Sequence, residues 1–165
     1  MTRTLILTRH AKSSWDNPAT DDHDRPLNAR GTRSAKALGD WMRAKGWLPD
    51  QVISSSSKRT RETFAGLGLT AKAEFTDALY HATHNQMLRV LSQATGKMVL
   101  MLAHNPGTAD FAEGLAIAPP DHLRFYDYPT GATLVLRFDI DSWDQVSWRS
   151  GTVLDFIVPR DLLPE

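Results

Sequence analysis

Two apolar runs, each ending on a histidine, limit what this chain can fold into more than any other feature. The first, Thr4-Leu5-Ile6-Leu7-Thr8, stops at Arg9-His10. The second, Lys97-Met98-Val99-Leu100-Met101-Leu102-Ala103, stops at His104-Asn105-Pro106-Gly107. A parallel strand covered on both faces is apolar almost throughout. Ligands in open α/β sheets bind outside the carboxyl ends of such strands. Both histidines therefore stand where a pocket is expected, each close to a helix start.

Between and after these runs the pattern alternates. Asn28 can cap a helix carrying Ala35, Leu38, Trp41 and Met42 at helical spacing, with Gly46 as its stop. Gln51 to Ser55 reads as a short strand, and Ser56 or Ser57 can cap the helix that follows. A strand around Ala73 to Phe75 comes next, then a helix announced by Thr83 and Gln86 at capping-box spacing. Asn105 with Pro106 predicts the fourth helix start. Ala132 to Phe138, Gln145 to Arg149 and Thr152 to Val158 read as strands. The fold expected is an α/β class, three-layer α/β/α sandwich with a mostly parallel sheet and an antiparallel C-terminal edge.

Composition narrows the function. Lys plus Arg and Asp plus Glu both number 19 among 165 residues, so formal net charge is zero with histidine neutral. Nucleic-acid binding by phosphate neutralisation needs a basic surplus, so no nucleic-acid partner is expected. Cysteine is absent, which removes disulfides and thiolate zinc sites. No stretch has the length of a membrane span or the character of a signal peptide, so the expectation is a cytoplasmic protein with no membrane partner.

Arg59 adds the next constraint. It falls in the first turn of the helix after the second strand, where a cation opposes the helix dipole unless an anion lies beside it. Arg9, His10, Arg59 and His104 then converge on one rim. Cations gathered there repel one another, and a phosphoryl group relieves that conflict. The acidic stretch Asp21-Asp22-His23-Asp24 reads as a solvated loop, and Glu62 as a helix-surface charge.

At this point the chain resembles the histidine phosphatase superfamily, also called phosphoglycerate-mutase-like, and most closely its small SixA-type phosphohistidine phosphatase branch. The residues that carry the resemblance are Arg9-His10-Ala11-Lys12-Ser13-Ser14-Trp15, Asp24-Arg25-Pro26-Leu27-Asn28, Ser54 to Thr63, Leu79-Tyr80, His104-Asn105-Pro106-Gly107 and Tyr128-Pro129-Thr130-Gly131-Ala132. It implies one histidine-phosphatase-like domain over 1–165 without a cap insertion, no cofactor and no metal. It further implies that His10 attacks phosphorus to form a phosphohistidine intermediate. Arg9, Arg59 and His104 would hold the phosphoryl oxygens, with Lys12, Ser13 and Asn105 as further substrate-binding residues. The expected partner is a phosphorylated protein (its phosphohistidine, for example on a histidine phosphotransfer domain) or a small phosphate ester.

The chain departs from the family pattern at the general acid. Larger members carry a carboxylate where Leu79-Tyr80-His81 stands here, leaving His81 or Asp16 as possible acids, with Asp22 and Asp24 as alternatives. An alkoxide needs a proton as it leaves, whereas an imidazole protonates at about 6.5 and departs readily. A site without a dedicated carboxylic acid therefore suits a phosphoramidate better than an alkyl phosphate. Three other readings remain on residue types alone. A metal hydrolase could draw on His10, His81, His84 and His104, a non-catalytic relative could simply bind phosphate, and a phosphomutase would need a sugar-acid clamp. A P-loop is excluded by the lack of a Gly-x-x-x-x-Gly-Lys stretch.

Overall fold

A computed structural model describes residues 1–163. Six strands form one sheet: β1 (Arg3–Arg9), β2 (Gln51–Ser55), β3 (Ala73–Thr76), β4 (Met98–Ala103), β5 (Thr133–Phe138) and β6 (Thr152–Ile157). Their order is β3-β2-β4-β1-β5-β6. The first four strands run parallel, β5 is antiparallel to β1, and β6 is antiparallel to β5. The helices are α1 (Ala29–Lys45), α2 (Lys58–Leu67), α3 (His84–Ser92), α4 (Gly107–Leu115) and the single turn α5 (Pro159–Leu162).

Strand alternation sorts the core into two clusters, one on each side of the sheet. Ile6, Val52, Leu100, Leu102 and Val135 pack with Leu38, Trp41 and Met42 of α1 and Leu67 of α2. Leu5, Leu7, Val99, Met101, Leu134 and Leu136 pack with Met87 and Leu91 of α3 and Phe111 and Leu115 of α4. This is the expected α/β/α sandwich. The chain inserts β4 between β1 and β2, so the carboxyl ends of three neighbouring strands meet at one edge of the sheet.

Local signals hold where side chains cap helices. Asn28 accepts from Gly31 N and Gly46 closes α1 at φ 77°. Thr83 and Gln86 form the reciprocal capping box, and Ser57 caps α2. Two glycines set distances that shape the site. A Cβ at Gly31 would lie 2.1 Å from the Lys12 carbonyl, and one at Gly107 would lie 2.0 Å from the Ala82 carbonyl. Both helices thus press directly against loops that border the strand ends.

Two local expectations fail. Gln145 to Arg149 is not a strand; a 3-10 turn at Trp143–Gln145 is followed by an irregular segment. Trp143 is buried and its indole donates to Gly96 O at 2.7 Å. Arg149 takes φ 59°, and the N–H groups of Arg149 and Gly151 donate to the carbonyls of Gly114 and Leu115. The segment therefore satisfies the open carbonyls at the end of α4 instead of extending the sheet. At the other end of α4, the helix starts at Gly107 with Pro106 in the cap position. Asn105 still accepts from Ala109 N at 3.2 Å.

Candidate active site

The strand ends close around a cavity of about 340 Å³ lined by Arg9, His10, Arg59, His104, Lys12, Ser13 and Asn105, joined by Trp15, Asp22, Arg25, His81 and Thr130. Four of these are polar residues drawn into the interior: relative exposure is 6% for His10, 5% for Arg59, 3% for His104 and 7% for Arg25. The residues singled out from sequence thus share one cavity, except Asp16 and Asp24, which are exposed, and His84, all three outside its lining.

His10 follows β1 directly. Its Nδ1 lies 2.7 Å from the Ala11 carbonyl, which can only accept, so Nδ1 carries the hydrogen. Nε2 is left with an unprotonated lone pair. Burial, with Arg9 and Arg59 adding to it and the Ala11 bond opposing, lowers the His10 pKa to about 3. The ring is therefore a neutral nucleophile of defined tautomer at physiological pH.

His104, after β4, stands with its ring centroid 5.2 Å from that of His10. Its Nδ1 is 3.2 Å from Arg59 Nη2, a donor, so Nδ1 accepts and the hydrogen sits on Nε2, 2.8 Å from Ser55 Oγ. Burial, followed by the charges of His10, Arg59 and His81, pushes His104 down to about 2. In this tautomer both ring nitrogens are engaged. Donation from Nδ1 to a ligand needs Arg59 to turn away and Ser55 to reverse its hydroxyl.

The two arginines are held differently. Arg9 makes one long bond, Nη1 to Tyr128 O at 3.3 Å, and its buried Nε has no partner among the described residues. Burial and then Arg59 lower its pKa from the usual guanidinium value. Arg59 donates to Asp22 O at 2.6 Å and to Asp22 Oδ2 at 3.0 Å. The anion that its helix position called for is supplied by the chain itself. This corrects the reading of residues 21–24 as a solvated loop, because the 3-10 turn Asp22–Asp24 aims Asp22 inward.

Asp22 organises the rim. It also accepts from Tyr80 Oη at 2.6 Å and lies 3.1 Å from His81 Nε2. Burial alone would raise its carboxyl, but the bonds from Tyr80 and Arg59 outweigh that and hold it at about 2. Asp22 therefore stays ionised and is no proton donor near neutral pH. Burial and Asp22 together raise Tyr80 to about 12. His81 adopts φ 54° and stacks on Tyr80 at 4.1 Å.

Sequence reasoning missed Arg25 as a site residue. Its guanidinium carbon lies 3.5 Å from the Trp15 ring centroid, and its buried Nε, 3.9 Å from Asp22 Oδ1, has no hydrogen bond among the described residues. An arginine just before Pro26-Leu27 was the signal available. Asn105 faces the cavity while its amide donates to the Asp127 and Tyr128 carbonyls. Glu62 is not a plain surface charge, since it accepts from Leu27 N at 2.8 Å. Phe125 and Tyr128 belong to the core, and Tyr126 is exposed. Among the described residues no group of three or more His, Asp or Glu is disposed to hold a metal ion.

The family model for the histidine phosphatase superfamily (branch 1) matches residues 5–87. The chain belongs to this superfamily. An uncharacterised Mycobacterium tuberculosis protein is 31% identical over 159 residues, covering 92% of this chain and 99% of the relative. The candidate phosphohistidine phosphatase SixA of Nakamurella multipartitia superposes with a TM-score of 0.83 at 28% identity, covering 96% and 97% of the two chains. The corresponding SixA candidate of Agrobacterium tumefaciens gives 0.76 at 25% identity, covering 95% and 98%. This histidine phosphatase is thus of the SixA type in structure. No helix among its described residues is long and apolar enough to cross a membrane.

Proposed function

We propose that this histidine phosphatase hydrolyses phosphohistidine on proteins through a phosphoryl intermediate on its own His10. The observation that carries the reading is the tautomer of His10: Nδ1–H is tied to Ala11 O and a bare Nε2 remains inside a cationic cavity. In the first step the Nε2 lone pair attacks phosphorus, the bond from phosphorus to the leaving nitrogen breaks, and the departing imidazole keeps its proton. In the second step water attacks the phosphorus on His10, the N–P bond breaks, and inorganic phosphate leaves. Splitting the transfer in this way replaces one difficult step with two easier ones.

Arg9 and Arg59 supply the positive charge that the equatorial oxygens need, which is why the reading invokes no metal. Arg9 has an unpartnered Nε to offer, and Arg59 can exchange Asp22 for a more highly charged phosphoryl group. His104, Lys12 and Ser13 complete the substrate-binding set in this proposal, and Asn105 holds the 127–128 backbone beside it.

The choice of substrate rests on the rim. Asp22 is ionised, and Asp16 lies outside the cavity lining, so no carboxylic acid stands ready to protonate an alkoxide. Read as one domain over 1–165 without a cap insertion, the chain leaves the cavity mouth open to a side chain on another protein, in keeping with a cytoplasmic setting. The test is a panel with EDTA present: a phosphohistidine protein, an aryl phosphate, an alkyl phosphate and a phosphoserine peptide. Phosphohistidine turnover should lead, and faster alkyl-phosphate turnover would overturn the assignment.

A further inference from the structure

We propose that a second cavity, sharing a wall with the first, binds a second anionic group (phosphate or carboxylate) on the same substrate molecule whose phosphoryl group meets His10. This rests on the phosphatase reading for the placement of that phosphoryl group. The cavity holds about 230 Å³ and is lined by Lys12, Arg30, Ser34, Arg124, Thr130 and Arg160, among others. Lys12 and Thr130 also line the first cavity, so the two are neighbours across a common boundary.

Four cationic side chains line this hollow, and among the described residues no Asp or Glu does. Their charges come from distant parts of the chain: the loop after β1, the first turns of α1, the loop before β5, and α5. Two described acids nearby in sequence, Asp127 and Asp161, are turned to other work. Asp127 takes Arg124 Nε at 2.8 Å, which leaves that guanidinium with four further N–H groups. Asp161 is engaged by His122 and by Val158 N. Arg30 is fixed in place by donation to Leu163 O at 2.6 Å.

Ser34 is the second, independent observation. It is 3% exposed, it lines the cavity, and its hydroxyl has no hydrogen bond among the described residues. That hydroxyl is not one of the fully buried atoms left without a partner, so it opens onto the cavity, where an alanine would serve the helix better. An oxygen of a bound anion accepts from that hydroxyl and pairs with Lys12, Arg124 and Arg160 together. A substrate bridging both cavities would place one anion under Arg9 and Arg59 and a second against Arg124 and Arg160, with Lys12 between them.

The test uses titration calorimetry on the whole chain with α,ω-alkane bisphosphonates of increasing spacer length and the matching monophosphonates. At one spacer length the bisphosphonate should bind at least about tenfold more tightly, and the preference should shrink as ionic strength rises. In the Arg124→Gln/Arg160→Gln double variant the preference should fall below about threefold. If that variant does not fold, Ser34→Leu fills the cavity floor and should give the same loss. A preference absent at every spacer length, or one that survives these changes, overturns the proposal. Monophosphonates bearing a terminal carboxylate show which anion the cavity takes. Wild-type turnover of phenyl phosphate is read separately, so a failed phosphatase assignment is not confused with a failed second site.

Discussion

The floor and the rim of the cavity are built on opposite principles. The floor, Arg9, His10, Arg59 and His104, comes from strand ends and a helix start; Arg9 is half-buried and the other three are buried, and the two imidazoles are driven neutral at about 3 and 2. The rim, Asp22, Tyr80 and His81, comes from irregular chain. Its carboxylate is held charged, and its His81 side chain is 55% exposed. Burial decides the charge state on the floor, whereas at Asp22 the hydrogen bonds from Tyr80 and Arg59 together outweigh it. The floor is thereby suited to act on phosphorus whatever the substrate, and the rim is where one leaving group is told from another.

That division is broken most directly at the nucleophile. His10→Ala should cost roughly 10⁴-fold or more in kcat on every substrate, as loss of a nucleophile does elsewhere, without unfolding the chain. Steady-state rates and trapping of the phosphoenzyme check it; residual turnover near wild type would remove His10 from the mechanism. Arg59→Gln comes next. It should lower kcat by about 10²- to 10³-fold on phosphohistidine, aryl and alkyl phosphates alike, the scale of removing one preorganised charge donor. A loss confined to one substrate would move Arg59 from the floor to the rim in function.

Acid sharpens the contrast further. A histidine whose folded pKa lies far below its unfolded value of about 6.5 binds its proton only when the chain unfolds. Stability therefore falls as pH drops from about 6.5 toward 3. His10 should contribute on the order of 1 kcal/mol to the loss between pH 7 and 5.5. Asp22 is shifted in the same direction from a lower starting value: its contribution is complete above about 4 and is lost only toward 2, outside that window. Urea unfolding at the two pH values should show a shallower decline for His10→Asn than for wild type. Equal declines would mean that His10 is not held neutral.

The same contrast explains what could be read in advance. The floor was legible because each of its residues ends an apolar strand or opens a helix, so period and capping located it. The Thr83–Gln86 box and the Asn28 and Gly46 caps were legible for the same reason. The rim was not. Asp21, Asp22 and Asp24 are equivalent in sequence, and only the turn at Asp22–Asp24 selects the carboxylate that meets Arg59. The failed strand at 145–149 is likewise a tertiary matter, since Val146 packs on the core, Trp148 meets Phe111 of α4, and Arg149 N donates to Gly114 O at the end of α4.

The smallest effect expected decides what the rim is for. His81 lies 3.1 Å from Asp22 through Nε2 and stacks on Tyr80. If departure of imidazole needs no proton from the protein, His81→Ala should change phosphohistidine turnover by less than about threefold. A dedicated general acid would be worth about 10²- to 10⁴-fold. The measurement is kcat for the phosphohistidine protein and the alkyl phosphate in wild type and variant, at one pH. A loss beyond about a hundredfold on phosphohistidine would make His81 the missing acid. The rim would then take part in the chemistry, and the preference for a phosphoramidate would have to come from its shape.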